Sequence, residues 1–495
     1  MLALNKIQEI SIKNPGKAAL ITDDIVFSWR DYKNVVKNNV HKLLANKIIN
    51  EDTTRAIVIS ENKWELFILY SCLVTSKIAY SGIDYTMNDT KKIAAISRSN
   101  ANLVFYSENN KPSNKILDIF SEKVNFVPIT AISLDVSDDD FDYSLAIAEL
   151  NHQDNITSFA FTSGTTGLPK CIYRTSSFDE KRLAIFTEMY NFNEKDIFMV
   201  TMPFYHVSVN GWAKLTLVNG GTVVFSDFSS NQDLYYKLTN YNITSMLITP
   251  HVLNRLIRKL NENNFNNKTV RFIMVGGKNF PTILKAKAIA TFGPVLNEYY
   301  GSSETGINTL ANSIDMEHYP ASSGKFMEGS KLLILDKNHN ILPANKIGRI
   351  AINSFQNAAG YINKEMEEFH HNNERYILTS DYGYLSEDGY IFVTQRVIYD
   401  DKKVENNIYS LENSIRMLSG VKDLVIVQNR NNQYSIYLSF EESTTNILKN
   451  NILEAIDLLL TSVDTKISIH AVSDINYSLS GKVKYNEFLN ASEGE

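Results

Sequence analysis

Cysteine is scarce in this chain, and its scarcity excludes one class of protein. The 495 residues include only Cys72 and Cys171, which is too few for the disulfide framework of a small secreted protein. No CxxC pair and no HExxH motif occurs, so the usual spacings of zinc ligands are missing as well. This pattern is typical of a reducing compartment, and we expect a cytoplasmic protein.

Long apolar runs and a large net charge are also missing. The most apolar stretch, 66–78, is interrupted by Lys77 and by hydroxyl side chains, and it is shorter than the about 20 residues that span a bilayer. Residues 1–14 mix charged with apolar side chains, unlike a signal peptide. The 49 basic and 55 acidic residues give a net charge of −6, which provides no overall attraction to nucleic acid or to an anionic membrane. We expect neither a membrane span nor a nucleic-acid partner.

Apolar runs of strand length alternate with helix-like stretches in the first part of the chain. Runs that are apolar on both faces are typical of strands in buried parallel sheets, and their alternation with helices predicts βαβ units. A chain of 495 residues is also too long for one ordinary core, so two or more domains are expected. The predicted buried strands are 56–60, 103–106, 125–129, 197–202, 222–225, 245–248 and 271–275.

The pattern changes after residue 330. Runs at 332–335 and 348–352 alternate with Asn and Gly turns, and 376–380 and 390–394 flank the turn Glu387–Gly389. These features predict hairpins of a small antiparallel barrel or sheet.

The pattern changes again past Arg396. A hairpin over 421–440, a helix over 447–460 and one more strand over 466–472 predict a separate α+β unit. We therefore predict an α/β protein with a large N-terminal domain, 1–395, of mostly parallel sheets, helices and a small antiparallel barrel, and a small α+β C-terminal domain, 396–495.

The stretch Phe161–Lys170, FTSGTTGLPK, combines glycine, hydroxyl and lysine residues. Glycine lets the backbone come close to a ligand, and successive N–H groups and hydroxyls form a cradle for anionic oxygens, to which Lys170 adds a positive charge. It is not a Walker loop, because Pro169 precedes the lysine. The stretch predicts a phosphate-binding loop, and its composition leaves a flexible surface loop open as the alternative.

This stretch resembles the signature loop of the adenylate-forming superfamily, which includes acyl-CoA synthetases, adenylation domains of peptide synthetases and luciferases. Residues 297–306, NEYYGSSETG, are similar to the second core motif of the superfamily, with Ser303 where threonine is usual. The resemblance covers nearly the whole chain and is closest to acyl-CoA synthetases. It implies ATP, Mg²⁺ and CoA as ligands, and a mobile lid formed by 396–495.

The resemblance assigns roles around the nucleotide. It implies that Tyr300 stacks on adenine, that Ser303 contacts a phosphate and that Glu304 helps to hold Mg²⁺. The residue types agree, because an aromatic face suits a purine and a carboxylate beside a triphosphate acts mainly through a metal ion. The implied nucleotide-binding residues are Thr162, Ser163, Gly164, Thr165, Thr166, Lys170, Gly276, Gly277, Tyr300, Gly301, Ser303, Asp381 and Arg396.

Two further motifs complete this set. Leu378–Asp381, LTSD, is similar to the Thr-Gly-Asp of the superfamily, whose aspartate takes the ribose hydroxyls, and Arg396 matches the arginine that reaches the ribose or a phosphate. Ser480–Lys484, SGKVK, is similar to the C-terminal catalytic loop. The resemblance implies that Lys482 reaches the carboxylate and the α-phosphate, where a positive charge stabilises the transition state. The implied catalytic residues are Thr162, Glu304 and Lys482.

The acid pocket is expected near 202–212. This stretch resembles the acyl-CoA synthetase form of its motif, and the resemblance implies that His206, Val207 and Gly301 border the acid. Relatives that activate amino acids usually place an aspartate here to bind the substrate ammonium, and this stretch has none. Since burial of an unpaired ammonium is costly, we infer a carboxylic acid without an α-amino group. His206 as a packed core histidine stays open.

The acceptor of the acyl group is the least determined part. Ile398 stands where many relatives have an acidic or lysine hinge residue, and Glu405 stands where a glycine usually borders the pantetheine tunnel. We expect an acyl-AMP to form and CoA to displace AMP. The alternatives are transfer to the phosphopantetheine of a carrier protein and, outside this class, a non-catalytic nucleotide-binding protein. The chain length of the acid and the oligomeric state are not readable from the sequence.

Overall fold

Helices and strands follow one another along the chain in the computed structural model. It describes residues 1–138, 141–148, 150, 156–162, 168–175, 179–277, 279–362, 364–396, 408–428, 433–460, 467–478, 483–484 and 487–488. The helices are α1 Leu4–Lys13, α2 Trp29–Ala45, α3 Trp64–Thr75, α4 Asp89–Ser99, α5 Asn114–Phe120, α6 Tyr143–Ala148, α7 Asp179–Tyr190, α8 Val207–Val218, α9 Asn231–Asn240, α10 Pro250–Glu262, α11 Thr282–Phe292, α12 Ser313–His318, α13 Ile408–Arg416 and α14 Asn446–Leu460.

The strands fall where the apolar runs predict most of them. They are β1 Ala18–Ile21, β2 Val26–Ser28, β3 Arg55–Ile59, β4 Ala79–Gly82, β5 Leu103–Tyr106, β6 Asn125–Pro128, β7 Ser158–Thr162, β8 Lys170–Arg174, β9 Ile197–Val200, β10 Thr222–Phe225, β11 Ser245–Ile248, β12 Phe272–Val275, β13 Leu296–Ser302, β14 Gly306–Asn312, β15 Lys325–Phe326, β16 Ser330–Leu335, β17 Gly348–Ser354, β18 Gly360–Tyr361, β19 Glu368–His371, β20 Glu374–Leu385, β21 Ile391–Arg396, β22 Val421–Gln428, β23 Tyr434–Phe440 and β24 Ile467–Ala471.

The contacts between residues divide the chain into two units. Unit 1 consists of 1–247, 268–272 and 358–366. Unit 2 consists of 248–267, 273–357 and 367–495.

Unit 1 contains mostly parallel strands. The order β11–β9–β10–β1 is parallel throughout, and β2 pairs with β1 in the antiparallel sense. A second sheet, β4–β3–β5–β6, is wholly parallel. The strands β7, β8 and β18 form an antiparallel ribbon. The predicted parallel sheets are therefore confirmed.

Burial explains why these runs form parallel strands and core helices. All four residues of β10 are buried, as expected for a strand with helices on both faces. The most apolar stretch of the sequence becomes α3, in which every residue from Leu66 to Leu73 is buried. Within the described ranges, no helix is long and apolar enough to cross a membrane.

Unit 2 contains, after α10, a short mixed group of strands. β12 and β13 are parallel, and β14 and β15 follow as antiparallel neighbours. Five more strands, in the order β16–β17–β20–β19 with β21 on β20, form an antiparallel sheet. The prediction of antiparallel hairpins after residue 330 is confirmed, and Gly389, in the turn before β21, has a φ of +78°.

The last part of unit 2 is an α+β arrangement. β22 and β23 form the predicted hairpin, and β24 lies parallel to β23. A parallel pair needs a crossover connection, and α14 provides it. α14 packs Ile452 and Ile456 against Leu424, Ile436 and Leu438 of the sheet. The predicted fold class, α/β with an antiparallel sheet and a C-terminal α+β region, is thus confirmed.

Candidate active site

Gly276 and Gly277 lie at the carboxyl end of β12, next to the motif on β13. Because the two strands are parallel, with Val275 opposite Glu298, their carboxyl ends meet at one edge of the sheet, where ligands of such sheets gather. A Cβ on Gly276 would lie 2.1 Å from the ring of Tyr299. The bare backbone at Gly276 is therefore packed directly on an aromatic ring, and Gly277, with a φ of +82°, turns the chain away.

The motif 297–306 forms the hairpin of β13 and β14, with Ser303, Glu304 and Thr305 in its turn. The two strands approach so closely that a Cβ on Gly301 would lie 1.9 Å from the carbonyl oxygen of Gly306. The hydroxyls of Ser302 and Thr305 are 3.0 Å apart, and Thr305 is buried. These contacts hold in place the backbone of the turn that carries Glu304.

Asp381 and Arg396 are neighbours across a second hairpin. The register of β20 and β21 places them opposite each other, which explains their spacing in the sequence. Arg396 Nε lies 3.8 Å from Asp381 Oδ1, and the hydroxyl of Thr379 accepts a hydrogen bond of 3.1 Å from the backbone N–H of Asp381. The structure thus brings together Asp381 and Arg396, to which the resemblance gave separate roles at the ribose and phosphate.

Tyr300 joins the two hairpins. Its hydroxyl donates a hydrogen bond of 2.9 Å to Asp381 Oδ2. Burial and the Asp381 carboxylate raise the pKa of Tyr300 well above its usual value. The Asp381 carboxylate raises the pKa of Arg396, although burial lowers it, and Glu304 and Tyr300 raise this pKa further. Tyr300, Asp381 and Arg396 therefore form one group, which we call the Tyr300 cluster, and Glu304 lies in the turn of the hairpin that carries Tyr300.

The ends of the stretch Phe161–Lys170 are paired in unit 1. β7 and β8 are antiparallel, and Thr162 lies opposite Lys170, so the stretch connects two strands of a hairpin. Lys170 Nζ lies 5.7 Å from the ring centre of Tyr361, and Arg98 donates a hydrogen bond of 2.7 Å to the carbonyl of Pro169. The side chain of Thr162 and the predicted site residues Ser163, Gly164, Thr165 and Thr166 lie outside the described residues.

His206 lies directly before α8, also in unit 1. Its Nδ1 is 2.7 Å from the Ser208 hydroxyl and accepts a hydrogen bond of 3.4 Å from the Ser208 N–H, so His206 is the N-cap of α8. Val207, the first helical residue, is 45% exposed. The side chain of Asn62 bonds the backbone of Met202 and of Phe204, at 3.2 and 2.6 Å, which fixes the segment that leads to His206.

Residues 8–362 match the model of the AMP-binding enzyme family. The chain belongs to this family. Membership confirms the resemblance to the adenylate-forming superfamily and the prediction of an enzyme that binds an adenine nucleotide.

Known proteins resemble the chain over half of its length or more. A 2-succinylbenzoate–CoA ligase of Oceanobacillus iheyensis is 23% identical over 446 residues, which are 87% of each chain. A fatty acid–[acyl-carrier-protein] ligase of Streptomyces coeruleorubidus is 25% identical over 278 residues, 54% of this chain and 53% of that one. The solved structure of an amide bond synthetase from Marinactinospora thermotolerans matches with a TM-score of 0.81 and 17% identity over 99% of both chains. The structural likeness confirms the fold.

The metal prediction for this family member rests on Glu304. Among the described residues there is no group of three or more His, Cys, Asp and Glu side chains that could hold a metal ion. Mg²⁺ is commonly held by one or two carboxylates together with substrate phosphates and water. A single carboxylate in a fixed turn therefore fits Mg²⁺ bound with a nucleotide, and does not fit a metal held by protein ligands alone.

Several predicted positions are not described by the structure. Lys482, Ile398 and Glu405 lie outside the described residues, so their predicted roles stay predictions. Lys278, which follows Gly277 in the sequence, is outside them as well.

A buried ion pair beneath the motif was missed by the sequence reasoning. Lys285 of α11 and Glu298 of β13 lie 2.6 Å apart with side chains 3% and 4% exposed, and Lys285 also donates a hydrogen bond of 2.9 Å to the carbonyl of Ser322. Burial raises the pKa of Glu298, and Lys285 opposes this rise. The pair ties α11 to the strand that carries Tyr300. The sequence carries no clear signal of this pair, because α11 has a second lysine, Lys287, and β13 also contains Asn297 and Ser302.

Proposed function

We propose that this protein activates a carboxylic acid with ATP to an acyl-adenylate, with release of pyrophosphate, and then transfers the acyl group to CoA, giving acyl-CoA and AMP. The observation that carries the proposal is the Tyr300 cluster in a member of the AMP-binding enzyme family. A carboxylate, an arginine and an aromatic ring next to a second carboxylate suit a ribose, a phosphate and a magnesium ion.

Asp381 is proposed to bind the ribose. An ionised carboxylate has about four acceptor positions on its two oxygens, and Tyr300 uses one of them on Oδ2. The remaining positions suit two vicinal hydroxyls. Arg396, close to the other oxygen of the carboxylate, adds positive charge for the ribose or the α-phosphate. Tyr300 then has two roles, since its ring offers a face to adenine and its hydroxyl orients Asp381.

Two segments are proposed to bind the phosphates of ATP, the stretch Phe161–Lys170 and the turn that carries Glu304. The N–H groups and hydroxyls of Thr162–Thr166, with Ser303, would bind phosphate oxygens, and Lys170 would add a positive charge. Glu304 would hold Mg²⁺ together with those oxygens. Mg²⁺, when bound, neutralises negative charge on the phosphates.

In the first step an oxygen of the acid attacks the α-phosphorus and pyrophosphate leaves. Lys482, on the loop Ser480–Lys484, is proposed to balance the negative charge of the two reactants and of the transition state. In the second step the thiol of CoA attacks the acyl carbon and AMP leaves. We propose that 1–395 binds ATP and the acid, and that 396–495 is a lid that moves between the two steps. This boundary separates parts that move, whereas units 1 and 2 are defined by contacts between residues.

The acid is proposed to be a fatty acid or another acid without an α-amino group. His206, Val207 and Gly301 would border it. The stretch 202–212 contains no Asp or Glu, so this segment offers no counter-charge to an ammonium. ATP and CoA are compounds of the cytoplasm, which supports a cytoplasmic location.

A carrier protein is the second candidate acceptor. Two observations favour it: a partial relative is a fatty acid–[acyl-carrier-protein] ligase, and Glu405 stands where relatives usually have glycine beside the pantetheine tunnel. A carboxylate there would obstruct or repel a phosphopantetheine arm, and it would repel CoA, which has three phosphate groups, more than the arm of a carrier protein, which has one.

ATP–pyrophosphate exchange with a panel of acids tests the proposal. The panel contains fatty, branched and aryl acids, together with standard amino acids and their deaminated analogues. We expect exchange with acids that lack the amino group and negligible exchange with free amino acids. Robust exchange with an α-amino acid, above that of its deaminated analogue, would overturn the assignment of the acid, and no exchange with any acid would overturn the proposed function. With the best acid, adding CoA or a pantetheine-bearing carrier protein then identifies the acceptor.

A further inference from the structure

The residues on either side of the predicted catalytic loop are paired. Tyr477 and Val483 form an antiparallel bridge, and the N–H of Lys484 donates a hydrogen bond of 3.0 Å to the carbonyl of Asn476. Tyr477 and Val483 also pack against the same buried apolar cluster. Lys482 immediately precedes Val483 in the sequence, so the bridge lies one residue from the predicted catalytic lysine.

Tyr477 is held at two sites. Its hydroxyl donates a hydrogen bond of 2.6 Å to Asp423 Oδ2, and Asp423 is paired with Arg416. Arg416 in turn lies 2.9 Å from Glu412. Burial by itself raises the pKa of Asp423, but the Arg416 guanidinium and the Tyr477 hydroxyl hold this pKa below its usual value. The hydroxyl end of Tyr477 is thus fixed within the last α+β part of unit 2.

The ring of Tyr477 faces a different part of unit 2. It stacks on His251, with ring centres 3.9 Å apart and an angle of 23° between the planes. His251 is the second residue of α10, which begins at Pro250, immediately beyond β11 and Thr249. We call this stack the docking contact.

A second pair links the same face of α10 to the last α+β part. Residues seven apart on a helix lie on one face, about 10 Å from each other, and Arg258 is seven residues after His251. Arg258 forms an ion pair of 3.1 Å with Glu441, and both side chains are more than 40% exposed. An exposed ion pair contributes little to binding, whereas a stacked aromatic pair contributes more. The docking contact is therefore the stronger of the two links.

We propose that the docking contact positions the segment that carries Lys482 for the adenylation step, and that His251 and Tyr477 are positioning residues for that step. The inference rests on the proposed function, because it takes Lys482 to act only while the acid meets ATP. When the lid moves for the thiol step, the docking contact is released. Its loss therefore affects the first half-reaction and leaves the second unchanged.

Substitution of His251 tests this role. We expect His251→Ala to lower the kcat of ATP–pyrophosphate exchange by roughly three- to tenfold, the loss of one stacked pair. The KM for ATP should change little, because the Tyr300 cluster is untouched. Thioester formation from pre-formed acyl-AMP should keep its wild-type rate. His251→Phe retains an aromatic face and should restore exchange, whereas Arg258→Ala, the matched control on the same helix face, should change it by less than about twofold.

Hydrogen exchange of the backbone in 467–478 provides a readout that does not depend on catalysis. We expect faster exchange of this segment in His251→Ala than in the wild type and in His251→Phe. Wild-type kcat in His251→Ala, or no rescue by phenylalanine, would overturn the inference. An equal loss in both half-reactions with a lower thermal midpoint would overturn it too, because it would indicate a merely structural role. If the wild-type protein catalyses no exchange with any acid while hydrogen exchange responds to His251→Ala, the proposed function fails and the contact is only a structural one.

Discussion

Two regions of unit 2 hold side chains of the proposed site in opposite ways. The Tyr300 cluster lies on two hairpins whose backbone register sets the positions of its members. In one of them, β13 and β14 approach too closely for a side chain at Gly301. The docking contact joins helix α10 to the segment before Lys482 through one ring stack, with an exposed ion pair on the same helix face. We expect the first region to be rigid and the second to be releasable. The difference suits a reaction in which the nucleotide stays in place while the lysine comes and goes.

The largest expected effect comes from the buried Lys285–Glu298 pair, which supports the strand that carries Tyr300. Glu298→Gln leaves Lys285 buried without its counter-charge, and removal of one partner of a buried pair costs about 3–5 kcal/mol of stability. Thermal and chemical unfolding measure this loss. The double variant Lys285→Met with Glu298→Leu removes both charges and should recover most of the stability. If Glu298→Gln unfolds at the wild-type midpoint, the pair does not anchor β13.

The second expected effect concerns Lys482 and distinguishes the two half-reactions. Lys482→Ala removes a positive charge from the proposed transition state, so pyrophosphate exchange should fall by about 10²–10³-fold or more. Thioester formation from pre-formed acyl-AMP should continue at a nearly wild-type rate, because the lysine has moved away by then. Single-turnover assays of the two half-reactions measure both rates. Equal slowing of both would make Lys482 a structural residue and leave the two-conformation mechanism without support.

The third effect removes the centre of the Tyr300 cluster. Asp381→Ala should weaken ATP binding by about 1.5–3 kcal/mol, the usual cost of losing a hydrogen bond to a charged group. Tyr300→Phe is the matched control, since it keeps the ring and removes only the hydroxyl that orients Asp381, and should cost about 0.5–1.5 kcal/mol. Calorimetric titration with ATP measures both variants. ATP affinity unchanged within error in Asp381→Ala contradicts the ribose assignment.

The smallest effect sharpens the description of the rigid region. Gly301→Ala places a methyl group 1.9 Å from the Gly306 carbonyl oxygen, so the hairpin must shift, at a cost of about 1–3 kcal/mol. Gly16→Ala, where a Cβ meets nothing within 4 Å, should stay within about 0.5 kcal/mol of the wild type. Unfolding midpoints of the two variants measure the difference. Equal midpoints would mean that the hairpin is not tightly packed at Gly301.

Local patterns in the sequence predict most of the fold. The buried strands are continuous apolar runs. The register of a hairpin places residues such as Asp381 and Arg396 opposite each other. The helix α8 was not predicted, although its segment was singled out as a motif. Residues on opposite sides of α8, such as Leu215 and Leu217, are both buried, so the sequence shows no clear amphipathic stripe.

Long-range contacts between side chains could not be predicted from one sequence. Tyr300 and Asp381 are 81 residues apart, and the motif resemblance assigned them to adenine and ribose separately, without the hydrogen bond that joins them. The Lys285–Glu298 pair and the docking contact leave no periodic signal either, because each depends on how two distant elements pack.

The fate of the carboxylate oxygens tests the central claim most directly. In the proposed reaction an oxygen of the acid attacks the α-phosphorus of ATP, and thiol attack then breaks the bond between that oxygen and the acyl carbon. With an acid that supports exchange, labelled with ¹⁸O in its carboxylate, mass spectrometry of the products should find one labelled oxygen in AMP and none in pyrophosphate. Unlabelled AMP, or ADP together with labelled phosphate, would contradict the proposed acyl-adenylate.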